Sequence, residues 1–220
     1  MFNSKKRKEA RMKSEGAIVS DQKYNIIIGA MLLYGFVMNA IMVLLTGQFF
    51  MEMNPIAFLI GYFVSALIGS IMVNASKNPI VSFIGYNLIV VPIGALLSIC
   101  LPGYSIGLIL SAIIVTAIIA AIMMLLGSMF PQFFSKIGLT LFIALLVGII
   151  AEFVAMLLGY GGDIFNWIFV IIFSLYMGYD WYRAQAYPKT VDNAIDSAVD
   201  LYLDIINIFV RLLEIFGKKD

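Results

Sequence analysis

Histidine is absent from this chain, cysteine occurs once, at Cys100, and only 12% of the 220 residues carry charge. Without histidine there is no Ser-His-Asp triad, no Cys-His dyad and no histidine zinc site. A single cysteine forms neither an internal disulfide nor a multi-cysteine metal site. Charge this sparse, beside an apolar content of 62%, does not suit a soluble globular domain. The composition places the chain in a membrane. What chemistry remains belongs to oxygen. The 13 carboxylates, with hydroxyls, amides and backbone carbonyls, suit protons and hard cations such as calcium or magnesium better than soft metals. No enzyme activity, resident cofactor or nucleic-acid partner is expected; the expected partners are the lipid bilayer, protons and transiently bound calcium.

Residues 1–23 hold Lys5, Lys6, Arg7, Lys8, Arg11, Lys13 and Lys23 against Glu9, Glu15 and Asp21, and read as a solvated, basic cytoplasmic tail too polar to bury anything. The apolar stretch that follows, Tyr24 to Leu45, lacks the short core and small-residue cleavage site of a signal peptide and reaches about 33 Å as a helix, enough to span the hydrocarbon. Further runs follow at about 55–73, 79–99, 106–126, 137–158 and 164–179, separated by turn chemistry such as Leu101-Pro102-Gly103. A seventh helix is expected over about 192–216, so that residues 24–217 form one transmembrane domain and 218–220 a short C-terminal tail. With the N-terminus inside, the inner loops hold Lys77, Lys136, Arg183 and Lys189 and the outer loops hold no base, as basic loops that remain cytoplasmic require. Lys218 and Lys219 oppose this pattern: seven full crossings put them outside and a re-entrant last helix puts them inside, and seven crossings are expected. The repeated Asn54-Pro55-Ile56 and Asn78-Pro79-Ile80 read as ordinary helix starts, Asn capping and Pro in the first turn. Pro92 is expected to kink the third helix. Ser65 with Gly69, and Ala117 with Ala121, are expected to allow close helix approach.

The seventh helix carries the unusual pattern. Asp192, Asp196, Asp200 and Asp204 recur every four residues and continue as Asn207, Arg211 and Glu214, a single stripe on one side of a helix. The first two acids read as answering the dipole of a helix N-terminus, Asp192 as a cap. Asp204 lies about 18 Å along the helix from Asp192, where facing lipid costs at least ~2.5 kcal/mol. Asp180, at the inner end of the sixth helix, has the same difficulty. Helices six and seven run antiparallel through a connection of about a dozen residues, so the two carboxyls can lie side by side. Held together away from water, they cannot both ionise cheaply and should share a proton, bridging the helices when protonated and repelling or recruiting a cation when not. Two carboxylates with carbonyls and water would bind calcium weakly and release it readily, making Asp180 and Asp204 a transient metal site. Asp200 is a candidate third ligand and Asn207 a further polar position on the pathway. Glu152 in the fifth helix and Arg211 are each pathway candidates or halves of an ion pair, Arg211 with Glu214 or Glu152.

At these residues the chain resembles the Bax inhibitor-1 (transmembrane Bax inhibitor motif) family. The likeness rests on the seven-span layout, on the block Ala198-Val199-Asp200-Leu201-Tyr202-Leu203-Asp204-Ile205-Ile206-Asn207-Ile208-Phe209 and on Tyr179-Asp180, 24 residues before Asp204. The resemblance implies an all-α polytopic fold with six helices around a central seventh. It also implies a bacterial plasma-membrane location and a pH-sensitive calcium leak controlled by an aspartyl pair matching Asp180 and Asp204. Bacterial members carry a second-helix arginine that can pair with the aspartates; here residues 55–73 contain no base. Rival readings are a proton- or ion-coupled secondary transporter and a non-conducting adaptor or stress regulator. An intramembrane aspartyl protease is disfavoured because Leu201-Tyr202-Leu203, not Gly-x-Gly, precedes Asp204.

Overall fold

A computed structural model describes residues 11, 12, 16–160 and 163–217. The described chain is all-helical and carries seven long helices: α1 Asp21–Leu45, α2 Pro55–Ala75, α3 Pro79–Cys100, α4 Ile106–Met129, α5 Pro131–Leu157, α6 Asp163–Ala186 and α7 Val191–Gly217. A one-turn helix, Gly47–Met51, follows α1. The tail bases and acids within 1–10 and 13–15, the Gly161-Gly162 turn and the C-terminal tail 218–220 lie outside the described residues. α1 to α6 are each long and apolar enough to cross a membrane. α7 has the length but not the composition, because the acidic stripe interrupts it.

Helix starts follow the local chemistry. The Asn54 side chain accepts from the amides of Ile56 and Ala57 at 3.0 and 3.2 Å, and Asn78 accepts from Ile80 at 2.9 Å, each ahead of a proline that has no amide to satisfy. Two boundaries differ from the sequence expectation. α5 begins at Pro131, which supplies a preset first turn, and α6 runs on past Tyr179 to Ala186, leaving only residues 187–190 before α7. Lys136 and Arg183 are therefore helical, and Asp180 lies within a helix, not at its end. α3 runs unbroken through Pro92.

The chain divides into two compact units, Met1–Gly103 with Tyr187–Val199, and Tyr104–Ala186 with Asp200–Asp220. α7 belongs in part to each. In the first unit α3 packs on α1 and α2. Tyr86 donates to the Met31 carbonyl at 2.8 Å and Tyr34 to Asn87 Oδ1 at 2.6 Å, while Ser65 donates to the Leu88 carbonyl at 2.8 Å. Gly69 and Gly85 face each other so closely that a Cβ on either would lie 2.6 or 2.8 Å from the other's carbonyl oxygen. In the second unit α6 packs on α4 and α5. There the near approach is Gly127 to Gly178, where a Cβ on Gly127 would sit 2.5 Å from a carbonyl oxygen. The buried face of α4 is Ala112, Thr116, Ala120 and Gly127. Ala117 and Ala121, expected at a contact, are exposed, because that face is one position out of phase with theirs.

The exposed surface is apolar. Leu44, Leu59, Ile106, Leu139 and Ile164 are among many large side chains left open. A surface of this kind is untenable in water and natural in lipid, where helices satisfy their own backbone. In contrast, no residue from Val191 to Gly217 is exposed. Gly69→Leu must push apart two backbones and should cost about 1–3 kcal/mol, read as a lower midpoint of thermal unfolding in detergent. Ala117→Leu, on an open face, should leave that midpoint in place. Equal midpoints would show that the glycine contact does not hold α2 to α3.

Candidate functional site: the aspartates of the last two helices

α6 and the later part of α7 build the site in the second unit. Asp204 is 5% exposed, and its Oδ2 makes no hydrogen bond among the described residues. The charged groups that act on it are Asp180, Asp200 and Arg183. Asp180 accepts from Arg183 Nη1 at 2.7 Å, both side chains largely buried, and the guanidinium lies 5.2 Å from the centre of the Tyr179 ring. The Tyr176 phenol is acted on by both Asp180 and Asp204. α6 thus presents Tyr176, Asp180 and Arg183 at helical spacing, one turn apart. Asp200 is half-buried.

Arg183 and Tyr176 were missed by sequence reasoning, the first because it was assigned to a loop. The available signal was spacing: once α6 continues past Tyr179, an arginine three residues after Asp180 must share its face. α2 has no base, so the cation beside Asp180 is supplied by the aspartate's own helix.

The remaining polar positions separate into distinct groups. Arg211 forms a two-pronged pair with Glu152, 2.5 and 2.9 Å, donates to Asn166 Oδ1 at 2.7 Å and stacks over Phe169 at 4.4 Å. Glu214 is more distant, at 3.8 Å. The guanidinium fork fits a carboxylate edge-on, and the ring covers its face. Asn207 donates to the Leu203 carbonyl of its own helix at 2.7 Å. In the first unit Asp192 accepts from Ser82 at 2.8 Å and Asp196 lies 3.3 Å from Arg11 Nε; both acids are almost wholly buried. Asp192 is not the cap. Thr190 Oγ1 accepts from the Asn193 amide at 3.2 Å and fills that role, freeing Asp192 for a tertiary bond. In the connection before α7, burial pulls the Lys189 ammonium below its usual value and Asp21 opposes this in part.

Among the described residues no group of three or more histidine, cysteine, aspartate or glutamate side chains is arranged to hold a metal ion. The charges about Asp204, two carboxylates and an arginine, thus do not make a closed metal cage.

The sequence profile of the family described as Inhibitor of apoptosis-promoting Bax1 matches residues 19–220. The chain belongs to the Bax inhibitor-1 family and is a membrane protein of that family. It is also similar to uncharacterized proteins from two strains of Helicobacter pylori, 32% and 31% identical over 115 residues. That alignment takes in 50% of this chain and 48% of theirs, so the chain spans about half the length of the curated relatives it matches.

The Arg211–Glu152 pair generates a stability prediction. Arg211→Ala leaves the half-buried Glu152 carboxylate without its cation, whereas Arg211→Ala with Glu152→Gln removes both charges. The double variant should recover part of the lost melting temperature, a coupling of about 0.5–3 kcal/mol. Strictly additive losses would mean that the two side chains do not support one another.

Proposed function

We propose that this protein is a pH-sensitive passive cation leak, with calcium as its principal cargo, controlled by protonation of Asp180 and Asp204. In this reading all seven helices cross the membrane, the N-terminus lies in the cytoplasm and the membrane is a bacterial plasma membrane. One observation carries it: Asp204 is buried in the middle of α7 with an oxygen that no described residue satisfies, and the charges that act on it include two further carboxylates. A structural carboxyl in such a place would ordinarily have every lone pair engaged. An oxygen left open is what a transient proton or cation requires. Family membership supports a membrane role of this ion-conducting type, and the bases at one set of helix ends and connections, Lys77, Lys136, Arg183 and Lys189, support the orientation.

Calcium fits through its tolerance of irregular oxygen shells; magnesium demands a near-octahedral cage and sheds water reluctantly. Asp180 is already paired with Arg183, so the carboxylates offer the incoming ion an incomplete shell. Weak binding permits release, which passage needs.

Protein purified into liposomes loaded with a calcium dye tests the reading. Wild-type flux should change across pH 6 to 8, by no more than about tenfold per unit if a single shared proton governs it. Asp204→Asn holds the neutral form permanently, so its flux should lose the pH dependence and settle at the wild-type acid limit. Flux independent of pH and unaffected by Asp204→Asn would overturn both pathway and switch. Calcium flux that appears only with a second solute or a gradient of another ion would assign the site to a coupled transporter. No flux under any condition would leave a non-conducting adaptor.

A further inference from the structure

The tail was expected to bury nothing, yet Arg11 is 5% exposed. Its Nε lies 3.3 Å from Asp196 Oδ2, and its guanidinium sits 5.3 Å from the centre of the Tyr187 ring. Asn193, wholly buried, donates to the Arg11 carbonyl at 3.1 Å and to the Pro188 carbonyl at 2.9 Å. Tyr24 closes the group from α1, donating to the Asn193 carbonyl at 3.3 Å and sharing a hydrogen bond with Ser197 at 3.0 Å. Main chain follows side chain: Val19 donates to the Lys189 carbonyl at 2.8 Å, and Ile18 pairs with Thr190 in an antiparallel bridge. The segment before α1 is therefore fastened to the start of α7 at two separate places.

A simple staple would not need a charge. Burying a guanidinium and a carboxylate together costs both hydration shells, and a well-packed apolar pair would fasten a tail at least as firmly. The charge also falls at a particular point. Asp196 belongs to the acidic stripe, eight residues and about 12 Å along the same helix from Asp204. The guanidinium meets a buried carboxylate on one side and an aromatic ring on the other, the chemistry that accepts a cation, and the cation in it is covalently attached to the chain.

We propose that Arg11 is a tethered cationic plug, occupying at Asp196 a seat that a permeating cation takes when the tail lifts away. This rests on the leak reading and names a regulator of it. Displacing the plug needs a stronger claim on Arg11 from elsewhere, and an anionic membrane surface has the right chemistry.

The test reads docking and conduction separately. A spin label on Met12→Cys in a Cys100→Ser background reports tail mobility in the full-length protein. Calcium flux in liposomes reports the pathway. Arg11→Gln and Asp196→Asn should each free the label, and Arg11→Gln should raise flux several-fold over wild type while keeping its pH dependence. Arg11→Lys should restore part of the block, because the charge remains and only the fork is lost. A freed label with wild-type flux would reduce Arg11 to a staple and overturn the plug. An unmoved label in Arg11→Gln would overturn it too, as would raised flux that had lost its pH dependence together with a lowered melting temperature, the mark of a damaged fold. A pH-dependent wild-type flux sensitive to Asp204→Asn, yet unaltered by Arg11→Gln, would sink the plug alone. Absence of flux in wild type and Arg11→Gln alike would sink the leak reading and the plug with it.

Discussion

A carboxylate withdrawn from water must be paired, hydrogen-bonded or neutralised, and α7 imposes that demand three times, at Asp192, Asp196 and Asp204. The responses differ. Asp192 takes a serine hydroxyl from α3, and Asp196 takes the Arg11 guanidinium. Arg211, the base on the same stripe, is satisfied by Glu152 and Asn166. Asp204 retains an open oxygen. A buried carboxylate oxygen left without a hydrogen bond is a local cost to the fold, and such places are expected to coincide with function.

The other helices make this arrangement possible. Their outward faces are aliphatic and aromatic, so the membrane gives no reason for them to associate by hydrophobic burial. Close backbone approach has to do it. Gly69 with Gly85 in one unit and Gly127 with Gly178 in the other bring backbones together at distances no larger residue would allow. Each unit is then organised around a helix packed on two neighbours, α3 in the first and α6 in the second. α6 is the helix that bears Asp180.

Much of this was legible in sequence because the underlying physics is one-dimensional. Apolar run length is set by bilayer thickness, and Asn-Pro pairs by the unsatisfied amides of a helix start. The aspartate stripe was visible for the same reason, since a spacing of four marks one helix face. Partners across helices were not legible. Lys136 and Arg183 were placed in loops because hydropathy falls where charges begin, although helices continue past the hydrocarbon edge. Asp192 was assigned to a cap because local sequence offers that role, while Ser82, 110 residues away, supplies the bond that it makes. Ala117 and Ala121 looked like a packing pair from size alone, and size does not fix phase. Arg11 was lost in a run of bases that composition assigns to solvent.

The location of Arg183 bears on how a switch at this site would work. A base on a different helix would itself cross-link the bundle, and the latch would then be an interhelical ion pair. Arg183 shares a helix with Asp180 at a spacing of three, so that pair travels with α6 and survives any shift of α7. Its guanidinium partly neutralises Asp180 and weakens the repulsion that a second carboxylate would meet. Asp204 is then the member whose partner has to come from outside α6, and the candidates are a proton or a passing cation. On the proposed reading the arginine does not close the mouth. It offsets one charge of the pair from within α6, so that the balance between proton and ion is struck across the two helices.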